Sequence, residues 1–92
     1  MQITVKYEAQ AKRAAGVGSE SIELSDSSCV SDAIRHLAEL HSDTLRPVLI
    51  NSAGDVQKSL LLFLGDDQVV QGDDQQLSDG DTLTILPPIS GG

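Results

Sequence analysis

Only one stretch of this chain carries apolar residues at helical spacing. From Val30 they recur as Val30, Ala33, Ile34, Leu37 and Leu40, at i, i+3, i+4, i+7 and i+10, which puts five side chains on one stripe of an α-helix. Ser28 or Ser31 can cap its start, Asp32 suits the positive end of the helix dipole, and Ser42-Asp43 after His41 reads as its exit. The remaining apolar segments alternate with period two or are too short for a stable helix. The fold must therefore be a sheet covered by this helix.

Ile3, Val5 and Tyr7 alternate with polar neighbours over residues 2–8, the pattern of a strand with one buried face. Residues 9–15 are rich in Ala and charge and end at Gly16-Val17-Gly18, a short helical turn stopped by glycine. Residues 21–24, with Ile22 and Leu24 inward, return as the second strand of a wide hairpin. Pro47 predicts an extended path into Val48-Leu49-Ile50, and residues 51–55 form a turn cluster. Residues 60–64 are apolar throughout, as in a strand covered on both faces, and Val69-Val70 reads as a short edge strand. After a turn at residues 78–81, Thr82 to Leu86 alternate with Leu83 and Ile85 inward, and Pro87-Pro88 ends the strand because neither can donate to a ladder. Strand, strand, helix, strands is an α+β order, and a right-handed crossover makes the first and last strands parallel neighbours. This is a β-grasp arrangement, a mixed sheet of four to five strands with one main helix across one face. Residues 1–88 form the domain, and residues 89–92 a tail that reaches at most about 14 Å when extended.

Composition narrows the function. The 92 residues include only two aromatics, Tyr7 and Phe63, so the core is aliphatic and no platform exists for stacking bases. The formal charge is −8 and unevenly spread: residues 1–58 hold all six basic residues against eight acids, whereas residues 59–92 hold six Asp and no base. That balance disfavours nucleic acid and anionic lipid and suits a partner with a basic docking surface. The N-terminal residues lack signal-peptide character, and the longest apolar run is too short to span a bilayer. A cytoplasmic location is expected, consistent with a single cysteine.

Catalytic constellations are missing from the pattern. His36 and His41, five apart, point about 140° away from each other on a helix and cannot share a metal; both read as exposed. Asp66, Asp73 and Asp79 each fail the calcium-loop template at the third or fifth position and read as solvated turns. Gly16-Val17-Gly18 begins like a dinucleotide fingerprint, but position 21 is Ser and a strand follows. Cys29, with no His nearby in sequence, reads as a small buried apolar side chain before the helix.

What remains is the end of the chain: the turn Asp79-Gly80-Asp81, an alternating strand, Pro87-Pro88, and then Ile89-Ser90-Gly91-Gly92. With the opening strand, the stretch from Ala11 to Gly16 and the helix from Val30, this arrangement resembles the ThiS/MoaD family of ubiquitin-like sulfur carriers over the whole chain. Glycines at the tip suit a thin tail, since without a β-carbon they neither block a channel nor shield a carbonyl from attack, and two prolines reduce the entropy lost on insertion.

The resemblance implies a carrier rather than an enzyme. An adenylating, ubiquitin-activating-like enzyme would use ATP to place AMP on Gly92, and sulfur would then displace AMP to leave a terminal thiocarboxylate for a sulfur-accepting synthase subunit. Gly91, Ser90, Ile89 and Pro88 would be read by the partner's channel, and no metal or permanently bound cofactor is implied. Sulfur then rides on Gly92 and not on Cys29. Docking is expected on the sheet face that the helix leaves bare, with Leu86, opposite Leu83 and Ile85 on the last strand, either an exposed apolar anchor or part of the core. The run Pro-Pro-Ile-Ser-Gly-Gly looks most like the small subunit of molybdopterin synthase, whereas the long segment 45–58 looks more like carriers for cysteine synthesis. Thiamine carriers are usually shorter. A protein modifier joined through Gly92 to a lysine is the third reading, and a ferredoxin-like β-grasp is excluded by the cysteine count.

Overall fold

The computed structural model describes residues 1–70 and 74–88. Strand β1 (Gln2–Tyr7) leads through helix α1 (Ala9–Ala15) to β2 (Ser19–Glu23), which pairs back antiparallel with Ile3 opposite Ile22. Gly16 closes α1 at φ 79°, the left-handed conformation that glycine enters without steric cost, and its N–H bonds the Lys12 carbonyl. Helices α2 (Val30–Leu40) and α3 (Arg46–Leu49) follow, then β3 (Leu61–Leu64), β4 (Asp67–Gln68) and β5 (Thr82–Leu86). Among the described residues these strands form one mixed sheet in the order β2-β1-β5-β3-β4. The expected parallel pairing of first and last strands is present, with Val5 opposite Leu83 and Tyr7 opposite Ile85.

Alternation along the strands sends Ile3, Val5, Leu83 and Ile85 to the face under α2, where none has measurable exposure. Val30, Ala33, Ile34 and Leu37 of α2 meet them as the spacing predicts. Leu40 does not: it is 53% exposed, and Ala38 takes the inward position. The apolar stripe therefore holds only as far as Leu37.

Several local expectations shift. The second strand begins two residues earlier than the alternation suggests, at Ser19, because Tyr7 N–H bonds the Gly18 carbonyl and extends the ladder to the turn. The cap of α2 is Cys29, whose backbone N–H donates to Asp32 Oδ2 at 2.8 Å. Ser28 instead turns inward and donates to the Ser25 carbonyl, and Ser31 donates through both its N–H and its hydroxyl to Asp74. Pro47 lies in the first turn of α3, where its missing N–H costs no helical bond, in place of the extended path. The edge strand is Asp67–Gln68 in place of Val69-Val70: Val69 is buried and Val70 is 66% exposed.

Leu37→Ala is expected to lower unfolding free energy by about 2–5 kcal/mol, the range for emptying a packed Leu site. Leu40→Ala should change it by less than about 0.5 kcal/mol. Urea unfolding of both variants checks this, and equal losses would place Leu40 in the core.

Candidate functional site

Because β5 runs parallel to β1, its C-terminal end emerges beside Tyr7 and the start of α1, and the Glu8 N–H bonds the Ile85 carbonyl at 3.0 Å. The ladder to β3 closes with Leu61 opposite Leu86. Pro87 is buried and Pro88 exposed, so the first proline is held against the domain and the second stands at its surface. The tail residues singled out above, Ile89, Ser90, Gly91 and Gly92, lie outside the described residues.

The bare sheet face beneath this exit is apolar. Residues 60–64 are not covered on both sides: Leu60 and Leu62 are buried, but Leu61 is 40% exposed and Phe63 partly so. One helix covers one face of a two-layer sandwich, so a strand that is apolar on both sides must show one of them. Leu86 is half-buried on that outer face, between the two alternatives expected for it, and in register with Leu61. Leu61, Phe63 and Leu86 thus make a short apolar strip at the root of the tail, with Thr84 beside Phe63 and Lys6 beside Thr84. Leu61 and Phe63 were legible in principle, from a wholly apolar strand in a chain with a single main helix.

The titratable residues lie elsewhere. His41 is not an exposed helix residue: it caps α2, is half-buried, and its Nε2 lies 2.7 Å from Glu20 Oε2, which also accepts the Tyr7 hydroxyl. This group ties β1, β2 and the end of α2 together. Burial, then the Glu20 hydrogen bond and charge, push the Tyr7 hydroxyl well above its ordinary value, so it stays a donor. His36 is half-buried on α2. Asp66 and Asp79 occupy turns, Asp79 accepting the Gln2 N–H, while Asp73 lies outside the described residues. Cys29 is partly exposed, not buried. Its thiol is held above its usual value by desolvation and by Asp74 and Asp32 beside it, which keeps it in the less nucleophilic protonated form. Among the described residues no group of three His, Cys, Asp or Glu could hold a metal ion, and no helix is long and apolar enough to cross a membrane.

The acidic turns 65–67 and 78–81 sit at the other end of β5 from the tail: the Gly65 N–H bonds the Thr82 carbonyl and the Gly80 N–H bonds the Gln2 carbonyl. A basic partner attracted to those turns would meet the pole opposite the root of the tail.

Known proteins share this architecture. The molybdopterin synthase sulfur carrier subunit of Chlamydomonas reinhardtii is 34% identical over 92 residues, all of both chains. SAMP1 from Haloferax volcanii shares the fold with a TM-score of 0.89 at 21% identity, covering all of both chains. A putative molybdopterin converting factor subunit 1 from Pyrococcus furiosus aligns with a TM-score of 0.76 at 25% identity, over 97% of this chain and 99% of that one. The sequence model of the ThiS family matches residues 5–92; with the β-grasp sheet and the strand, proline pair and glycines that end it, the chain belongs to the ThiS family of ubiquitin-like sulfur carriers.

Proposed function

We propose that this carrier takes sulfur on Gly92 and delivers it for molybdopterin synthesis. The whole-length similarity to a molybdopterin synthase sulfur carrier subunit is the observation that carries the reading. A carboxylate is a poor acyl donor because its leaving group is oxide. Attack of the Gly92 carboxylate on the α-phosphorus of ATP, in the activating enzyme, expels pyrophosphate and leaves an acyl adenylate. A sulfide sulfur then adds to the acyl carbon, the C–O bond to AMP breaks, and a thiocarboxylate remains. That group is the nucleophile for the accepting synthase subunit, so sulfur never leaves as free sulfide.

The domain's part is presentation. Buried Pro87 anchors the chain ahead of the tail, and Pro88, with its fixed φ, would limit the conformations lost on entry into a channel. The Leu61, Phe63 and Leu86 strip supplies apolar area that a partner covers as the tail inserts. Cys29 has no role in this chemistry: its thiol is held protonated, and it lies at the start of α2, whereas the tail leaves near that helix's other end.

Incubation with activating enzyme, ATP and sulfide should raise the intact mass by one oxygen-to-sulfur exchange. Deleting Gly92 should abolish that gain and leave the thermal midpoint nearly unchanged, while Cys29→Ala should retain it. Sulfur uptake by the truncated chain would refute the assignment, and ladders of conjugated protein in place of the mass gain would indicate a modifier.

Leu61→Ser tests the strip. It should raise the KM for the carrier in the adenylation assay by about tenfold, the effect of losing roughly 1.4 kcal/mol of docking energy, with a midpoint close to that of the parent. An unchanged KM would remove Leu61 from the interface.

A further inference from the structure

The −8 net charge conceals a cationic pole. Lys6 on β1 is opposite Thr84 of β5 in the parallel register, and α1, with Lys12 and Arg13 in its last turn, packs on both strands. Lys58 precedes by three residues Leu61, the partner of Leu86. The register thus brings all four toward the end of the sheet where β5 finishes; all are exposed, and among the described residues none has an ion-pair partner. The carboxylates at this end include Glu8 and Asp43, both exposed, and Glu20, whose Oε2 is engaged by Tyr7 and His41. At the other pole lie Glu23, Asp26, Asp66, Asp67, Asp79 and Asp81, in the turns that flank β5 and at the end of β2.

We propose that Lys6, Lys12, Arg13 and Lys58 form a docking collar for an acidic segment of the activating enzyme, at the mouth of the channel that receives the tail. The collar deepens the sulfur-carrier reading and rests on it for the identity of the partner. Charge complementarity at contact carries the inference. The five residues of β5 separate the poles by about 17 Å, some two Debye lengths at physiological salt, where one length is about 8 Å. An approaching surface within a Debye length of the tail's root therefore senses the collar and little of the distant Asp residues. Cations without a carboxylate partner among the described residues, on a chain with an excess of acids, are groups available to an outside acid. Attraction of the acidic pole to a basic partner would turn the tail away from it, whereas attraction of the collar to an acidic one brings the tail in first. The acidic pole then faces solvent and keeps the carrier soluble.

A hexaglutamate peptide titrated into the ¹⁵N-labelled chain at low ionic strength gives a test that needs no activating enzyme. Amide shifts should concentrate on Lys6, Lys12, Arg13, Lys58 and the adjoining Thr84 and Leu86. The variant Lys12→Glu/Arg13→Glu/Lys58→Glu should lose about tenfold or more in peptide affinity, and Lys58→Glu alone, in a loop, should lose part of it. Asp66→Lys/Asp67→Lys should move the tail-pole shifts little. In the adenylation assay the triple variant should lower kcat/KM for the carrier about tenfold, with the opposite-pole variant within about twofold of the parent. Shifts absent from the tail pole, or peptide affinity indifferent to the three reversals, would overturn the collar. If the parent chain never gains sulfur, the carrier chemistry fails, and the peptide titration still decides whether this pole takes an acidic segment.

Discussion

The parallel ladder between β1 and β5 is the contact on which the other features depend. It joins residues nearly eighty positions apart, from Thr4 opposite Thr82 to Tyr7 opposite Ile85, and is extended by Thr4 N–H to the Asp81 carbonyl and Glu8 N–H to the Ile85 carbonyl. Such pairing is entropically late, since most of the chain must be closed into a loop before it forms. Its consequence is that the last strand is interior to the sheet, flanked by β1 and β3. The C-terminal segment is thereby anchored by central hydrogen bonds up to Leu86 and by the buried Pro87. Stability and function divide between neighbouring residues, not between distant regions.

The second constraint is coverage. A sheet with one main helix has one buried face, and α2 together with Leu45 and Leu49 fills it. Threonine, serine and lysine occupy most outward positions on β1, β2 and β5, which water satisfies. Leu61, Phe63 and Leu86 depart from that rule, and they depart from it together, next to the tail. An isolated exposed leucine needs no explanation, but a cluster in register across two strands at the end of β5 is the kind of apolar patch that the proposed docking would cover.

The sequence made the frame legible because its signals were strong and local. The stripe from Val30 to Leu37, the alternation in the first and last strands and the stop at Pro87-Pro88 all correspond to observed elements. Where reading failed, tertiary context decided. Pro47 is equally compatible with an extended segment and a helical first turn, and packing of Leu45 and Leu49 selects the helix. Leu40 satisfied the period but is exposed, with Ala38 in the inward position. His41 looked solvated because its partner, Glu20, is distant in sequence and on another element. The candidate site divides in the same way. The glycines were visible as composition, while the apolar strip needed the register of β3 against β5, and the cationic pole needed the parallel ladder that brings Lys6, Lys12 and Lys58 to one end.

Polarity of charge and direction of the tail follow from one topology. Turns that carry Asp66, Asp67, Asp79 and Asp81 lie at the pole where β3 ends and β5 begins, so they cannot also surround the point where β5 ends. A uniform acidic surface would have met every partner alike. Separated along the strands, the same residues leave the end of β5 at Leu86 and Pro87 apart from most of the acidic turns. In the sulfur-carrier reading proposed above, a segment of four residues spans at most about 14 Å, so Gly92 would reach an activating enzyme's nucleotide site only with the domain docked close to it. On that reading the apolar strip and the cationic end of the domain serve one requirement, that the domain arrive with the end of β5 toward its partner.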